Sequence, residues 1–324
     1  MKRNYILDPL GEMKDMYAAY NEAIIELAEI NDKIVLLYAD YAAGTAGDYF
    51  RKRYPNRIYD FGIAEANLMS IAAGLADTGK IPFTHCHSIF AVGRAYNQIR
   101  QNIAYDGFNV KIVMPASGML TYIVGASHQT IEDTAALRVI PNLAIITPAD
   151  PVEAKKATKA ALERQGPVAI RLARTIVPSG VPTIYREDFP FEFGRAVEVA
   201  DGDDVTIISS GALLADCLSA IEMLESEGIK ARLLDMHTVK PLDDKAVIKA
   251  ARETGAIVTV EDVSIIGGLG GAISELVCEK FPVPIRRIGV TDRFGQSGTI
   301  EEIKEEYGLT ADDIVHAVRE VKKN

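Results

Sequence analysis

No run of about 18 consecutive apolar residues occurs in this 324-residue chain, so no segment has the length to cross a bilayer as a helix. The opening stretch, Met1-Lys2-Arg3-Asn4-Tyr5-Ile6-Leu7-Asp8-Pro9, lacks the apolar core and cleavage site of a secretion signal, and a cytoplasmic location is expected. Cysteine is scarce: Cys86, Cys217 and Cys278 have no Cys-x-x-Cys spacing, which excludes a disulfide framework or a zinc knuckle and fits a reducing compartment. Positive charge is short as well. With 35 Lys and Arg against 45 Asp and Glu, the net charge is -10, and no basic cluster offers a face to nucleic-acid phosphates. Internal repeats, coiled-coil heptads and low-complexity tracts are missing too. What the chain does have is length and 48% hydrophobic residues, enough for two domains with cores of their own.

Apolar runs and helical patterns alternate along it. A helical pattern over residues 13–30 precedes the branched run Lys33 to Asp40, read as a buried strand. A helix at about 46–54, a short strand Arg57 to Asp60, a helix from Glu65, a strand Lys80 to His87 and a helix at about 89–105 follow. Val110 to Met114, Leu143 to Thr147 and Val168 to Leu172 are further strands, separated by helices at about 128–139 and 151–164. The periodicity breaks from Thr175 at prolines 178, 182 and 190, and residues 181–192 are read as a linker. Beyond it, strands at Asp204 to Ser209, Lys230 to Met236, Ala256 to Glu261 and Pro284 to Gly289 interleave with helices at about 212–227, 243–254, 268–281, 299–306 and 310–321. This spacing implies parallel crossovers, hence an α/β chain with two doubly wound domains, over residues 1–180 and 193–324, the second smaller.

In such sheets the chemistry gathers past the carboxyl ends of the strands. One carboxylate there is conspicuous. Steps of three and four from Glu65 reach Leu68, Met69, Ala72, Leu75 and Ala76, so its side chain lies in line with an apolar stripe. Two readings follow: a desolvated carboxyl with catalytic use, or a first-turn acid that answers the helix amides and dipole. Three of the five histidines, His85, His87 and His128, also fall past strand ends, a placement suited to acid-base work or anion binding. His85 and His87, two apart on a strand, would point the same way and could share a metal, with no third ligand evident. His128 could instead make a helix-start hydrogen bond. The run Gly267-Gly268-Leu269-Gly270-Gly271 has the look of a phosphate-binding turn, but glycines alone are weak evidence, and it is read as a packing turn.

Several ordered strings carry a resemblance. Asp60-Phe61-Gly62-Ile63-Ala64-Glu65-Ala66-Asn67 through Ala76, Gly93-Arg94-Ala95-Tyr96-Asn97-Gln98, Ser127-His128-Gln129-Thr130-Ile131-Glu132-Asp133 and Leu137-Arg138-Val139-Ile140-Pro141-Asn142 are similar to the C-terminal half of transketolase. Asp235-Met236-His237-Thr238-Val239-Lys240-Pro241, Ile266-Gly267-Gly268-Leu269-Gly270 and Asp292-Arg293-Phe294-Gly295-Gln296-Ser297-Gly298 extend the match across the second domain. The likeness is strongest to the separately encoded C-terminal subunits, with deoxyxylulose-phosphate synthase and 2-oxo-acid dehydrogenase beta subunits as neighbouring families. The resemblance implies a thiamine diphosphate pyrimidine-binding domain followed by a transketolase-type C-terminal domain, and a transferase moving a two-carbon ketol unit. It makes Glu65 the catalytic residue against the aminopyrimidine nitrogen, with Phe90 and Ile63 as further cofactor contacts. His128, Arg174, His87 and His85 become the substrate-binding candidates. It also implies Mg2+, which these enzymes bind with the diphosphate through a Gly-Asp-Gly motif. That motif is absent here. Diphosphate and metal are therefore expected on a partner N-terminal-type subunit in an alpha2-beta2 assembly.

The departures from the family bear on substrate. Ala116 stands where a histidine is expected, Val124 where an aspartate is, Tyr17 in place of a phosphate-binding arginine, His87 in place of a phenylalanine, and Glu261-Asp262-Val263 in place of Glu-Glu-His. Each lost partner of a polyhydroxy phosphate removes about 1 to 3 kcal/mol, so an atypical, even unphosphorylated, substrate is expected. Two alternatives stay open: a 2-oxo-acid decarboxylating beta subunit, or a scaffold that kept the fold without the chemistry.

Overall fold

The computed structural model describes residues 2–40, 46–173 and 180–323. In chain order the elements are β1 (Met13–Lys14), α1 (Met16–Ile30), β2 (Ile34–Tyr38), α2 (Ala46–Arg53), β3 (Ile58–Asp60), α3 (Glu65–Asp77), β4 (Ile81–His85) and α4 (Ser88–Gln98). Then come β5 (Lys111–Pro115), α5 (Asp133–Arg138), β6 (Ala144–Ile146), α6 (Pro151–Glu163), β7 (Val168–Leu172), β8 (Val181–Pro182) and β9 (Val197–Ala200). The chain finishes with β10 (Val205–Ser209), α7 (Leu214–Ser226), β11 (Ala231–Asp235), β12 (Thr238–Lys240), α8 (Asp244–Thr254), β13 (Ile257–Ser264), α9 (Leu269–Lys280), β14 (Ile285–Val290), α10 (Ile300–Tyr307) and α11 (Ala311–Val321).

Among the described residues the larger sheet has the order β12-β6-β7-β5-β4-β2-β3, parallel except for β12. Its central strands β2, β5 and β7 are buried along their whole length and almost wholly apolar, with Lys111 and Arg171 the charged exceptions, as crossovers that cover both faces require. On one face pack α1, α2 and α6, with Tyr20, Ile24, Phe50 and Ala157 in the core; on the other pack α3, α4 and α5, with Leu68, Met69, Ala91 and Leu137. The second sheet, β14-β13-β10-β11-β9, is parallel except for its edge strand β9. The α/β class and the parallel sheets therefore agree with the reading of the sequence.

Four strands escape that reading, the two-residue pair β1 and β8 together with β9 and β12. β9 is a four-residue antiparallel edge, and β12 leaves the second sheet's helices to pair antiparallel with Ile145 and Ile146 of the first. Residues 181–192, read as a linker, are not a solvated tether. Val181–Pro182 pairs with β1, Ile184, Tyr185 and Phe189 are buried, and the amides of Ile184 and Tyr185 donate to Asp150 Oδ2, each at 2.8 Å. The Tyr185 hydroxyl donates to Asp235 Oδ2 at 2.6 Å, and one apolar core runs from Val152 through Tyr185 into Leu213 and Val315. The strap thus seals the seam between the sheets. No described helix is long and apolar enough to cross a membrane.

Candidate active site

The larger sheet reverses its winding direction between β2 and β4, and the segments that leave the neighbouring strand ends carry the candidate side chains. After β3 the chain turns at Gly62, whose positive φ of 65° favours glycine; Asp60 Oδ1 accepts from the amides of Asp40 at 3.0 Å and Gly62 at 3.1 Å. That turn launches α3 with Glu65 as its first residue and no capping side chain at Ala64. The predicted stripe is observed: Leu68, Met69 and Ala72 are buried, and Glu65 is only 3% exposed. The first-turn capping alternative is not what the side chain does. Its Oε2 has no hydrogen-bond partner among the described residues and meets only the Arg94 Nε at 3.2 Å, in an ion pair whose arginine is 55% exposed. Burial pushes the thiol of Cys86 up, and the negative charge of Glu65 pushes it further in the same direction. Ile63, two residues before Glu65, is 67% exposed.

Arg94 belongs to α4, and Phe90 lies four residues earlier on the same helix face. His87 is the residue before the helix. Its ring centroid lies 5.9 Å from Phe90 and 5.5 Å from His128, while Phe90 and His128 are 5.3 Å apart, all three rings edge-on to one another. Burial, then the neighbouring His128, hold the His87 pKa down to about 4, so its imidazole is neutral at pH 7. His128 is half-buried and ends the 3-10 turn Tyr122–Ser127, with Nδ1 2.9 Å from Ser127 Oγ. The helix expected to begin there starts only at Asp133, so a helix-start role for His128 is corrected to this turn-end position.

His85 has to be corrected more strongly. β4 ends at His85, so the two-residue alternation expected to align it with His87 is broken by the turn into α4. His85 stacks on Tyr38 at 4.2 Å, its Nε2 lies 2.7 Å from the Tyr20 hydroxyl and its Nδ1 3.2 Å from the Leu37 carbonyl. Burial lowers its pKa to about 3. It is completely buried, so in this chain it faces neither a substrate nor a metal shared with His87. Tyr17, at the position where an arginine was expected, is part of the same packing, stacked on Tyr20 at 5.6 Å and fully enclosed. Arg174 lies outside the described residues.

Behind the ring cluster runs a buried charged chain whose meeting in space the sequence did not show. Asp133 Oδ2 accepts from Ser88 Oγ at 2.5 Å and from Arg171 Nε at 2.9 Å, and Arg171 Nη2 faces Asp262 Oδ1 at 3.8 Å. Burial raises the Asp262 pKa to about 6, partly offset by Arg171. The adjacent Glu261, raised to about 7 by burial, accepts from the amides of Leu269 at 2.6 Å and Gly270 at 2.8 Å. The glycine-rich turn therefore already holds an anion of the chain's own, which agrees with its reading as a packing turn.

A model of the transketolase pyrimidine-binding domain matches residues 12–179, and one of the transketolase C-terminal domain matches residues 194–314. The 6-deoxy-6-sulfo-D-fructose transketolase subunit SqwH of Clostridium sp. (strain MSTE9) is 42% identical over 93% of this chain and 92% of its own length. A subunit of the apulose-4-phosphate transketolase of Phocaeicola vulgatus is 37% identical over 94% of this chain and 96% of its own. A solved structure described as a split-gene transketolase, inactive β4 tetramer, superposes with a TM-score of 0.88 at 45% identity, covering 95% of this chain and 98% of that one. Two matched domains in order, relatives of nearly the same length and a shared fold lead to one conclusion: the chain belongs to the transketolase family.

Proposed function

We propose that this chain is the C-terminal subunit of a split, thiamine diphosphate-dependent transketolase-like transferase that works only with an N-terminal-type partner. The observation that carries the reading is Glu65. A carboxyl oxygen that is buried, next to a helix start, and without a hydrogen bond is an unmet acceptor, and an aminopyrimidine edge is a donor and acceptor set that would meet it. The residues present thus fit the cofactor's pyrimidine end: Glu65 would hydrogen-bond the ring and hold or release a proton at Oε2, Phe90 would pack beside the ring, and Ile63 would be a further contact. When bound, thiamine diphosphate supplies a nucleophilic carbon that carries the two-carbon ketol unit. Mg2+ and the diphosphate fall to the partner subunit, since this chain has no Gly-Asp-Gly motif.

His128 and the neutral His87, whose rings meet at 5.5 Å, are the residues proposed to donate to or accept from a carbonyl or hydroxyl of the substrate, with Arg174 as the anion-binding candidate. Tyr17, where the resemblance would put a phosphate-binding arginine, is buried and stacked on Tyr20, which supports an atypical acceptor or donor. Relatives named for 6-deoxy-6-sulfo-D-fructose and for apulose-4-phosphate fit a pocket remodelled within one cofactor chemistry. The solved relative, an inactive β4 tetramer, fits a chain that self-associates and still needs its partner; an alpha2-beta2 complex is the assembly expected here. The test is ketol transfer by the chain co-purified with the product of the neighbouring reading frame, across phosphorylated, sulfonated and free ketoses. Thiamine-dependent turnover by the pair alone, with xylulose 5-phosphate among the poorer donors, is expected. Turnover of xylulose 5-phosphate and ribose 5-phosphate as the best pair would overturn the substrate part of the proposal.

A further inference from the structure

We infer that the buried Ser88, Asp133, Arg171 and Asp262 chain is a positioning device, which sets His87 and Phe90 against His128 and lets the second domain hold that geometry. The inference rests on the reading above of those three rings as cofactor and substrate contacts.

Asp133 is the junction. Through Ser88 Oγ it grips the first residue of α4, immediately after His87 and two before Phe90; its own backbone opens α5, five residues after His128. One carboxylate oxygen therefore ties together the two segments whose rings meet at 5.3 to 5.9 Å. The Asp133 contacts are charge-assisted and short, the class of hydrogen bond that holds geometry best. Asp133 is fully buried and Arg171 is 2% exposed, and a buried ion pair adds little net stability over apolar packing, so a geometric use accounts for it better than a stabilising one.

The second domain enters through Asp262 at the end of β13. Its carboxylate faces Arg171, and its carbonyl accepts from Met119 N at 3.0 Å. Gly118, with φ of 78°, sits so close that a Cβ there would overlap the Asp262 side chain, and its carbonyl accepts from Thr130 N at 3.3 Å. Gln129 donates its side-chain amide to the Gln296 carbonyl at 2.9 Å. The loop carrying His128 is thus clamped by the second domain at both Asp262 and Gln296, while Arg171 relays the first of these to α4.

The test compares Ser88→Ala, Asp133→Asn and the double variant Asp133→Asn with Arg171→Met, with two readouts. The first is histidine 15N NMR of the full chain alone, which needs neither cofactor nor partner. Both single variants are expected to move the His87 and His128 resonances and leave that of the exposed His316 in place. The second is donor kcat/KM of the complex, expected to fall roughly 10- to 100-fold for Asp133→Asn, the scale of a displacement of about 1 Å at a reacting site. The double variant should regain thermal stability without regaining either readout, which a merely structural pair would not do. Ser88→Ala keeps the ion pair and decides the matter if Asp133→Asn does not fold. Unmoved His87 and His128 resonances in Ser88→Ala would overturn the inference. A wild-type complex without thiamine-dependent turnover would instead defeat the proposed function, and the NMR result would still stand on its own.

Discussion

Glu65 at the start of α3 and Glu261 in β13, whose carboxylate meets the start of α9, are both nearly removed from solvent, at 3% and 2% exposure, yet their surroundings are opposite in kind. Glu261 reaches from β13 into the turn before α9 and has both oxygens occupied by helix amides, with Gly268 packed so close that a Cβ would overlap the carboxylate. Glu65 has no amide partner and an ion pair to a solvent-exposed guanidinium. Burial alone does not separate these two carboxyls; an unfinished set of hydrogen bonds does, and it is what supports the catalytic role proposed for Glu65. The comparison also explains why a glycine-rich turn that resembles a phosphate cradle is not one here: the positive end of α9 already has its anion.

The sharpest way to break the comparison is a pair of amide substitutions. Glu65→Gln should cost roughly 10²- to 10⁴-fold in turnover, the range of a lost acid-base group, with melting temperature unchanged. Glu261→Gln should do the reverse, because its new NH2 faces an amide N–H: about 1 to 3 kcal/mol of stability lost in urea titrations, and turnover per folded complex retained. If both variants lost activity alike, the two carboxyls would not differ in kind. Next in size, Gly268→Ala forces a methyl into the Glu261 carboxylate and should destabilise by about 1 to 3 kcal/mol, again without loss of turnover once folded.

A third buried cluster extends the comparison to pH. At the seam, Glu153 and Asp235 face each other beside Tyr185 and share a side-chain hydrogen bond, and burial raises the Asp235 pKa to about 7 and that of Glu153 well above its usual range. The folded chain therefore keeps a proton that the unfolded chain releases near the ordinary carboxylate value of about 4. Its stabilising contribution is complete below that value and is lost as pH rises through about 7, so the unfolding free energy should fall between roughly pH 4 and pH 7. Asp235→Asn should flatten that slope, and a stability that rises over the same window would contradict the shared-proton picture. The smallest effect is expected from Arg94→Gln: an arginine this exposed should contribute about 1 kcal/mol or less to stability, and a loss above about 2 kcal/mol would make the Glu65 pair structural.

Much of this was legible in the residues. The three-and-four spacing from Glu65 located a buried carboxyl correctly because a helix stripe depends only on local order. The alternation of branched apolar runs with helical patterns gave the two parallel sheets for the same reason. What escaped depended on partners distant in the chain. Thr238–Lys240 forms a strand only because Ile145 and Ile146 lie beside it, nearly a hundred residues away. His85 and His87 share a short motif yet separate, because β4 stops between them and Tyr20 and Tyr38 enclose the first. Ser88, Asp133 and Arg171 are ordinary residue types in ordinary places, and only their meeting in space gives them meaning. Gly118 was the available hint: a glycine in the turn three residues past the end of β5 signals a close approach, though not to which residue.

The central claim is that this chain holds the pyrimidine half of a cofactor site completed by another subunit. The most direct measurement is calorimetric titration of thiamine diphosphate with Mg2+ into the chain alone, into the chain co-purified with its neighbouring gene product, and into the same pair carrying Glu65→Gln. Binding by the wild-type pair, none by the chain alone, and weakened binding by the variant pair are expected. Tight binding by the single chain, or equal binding by the Glu65→Gln pair, would contradict the claim.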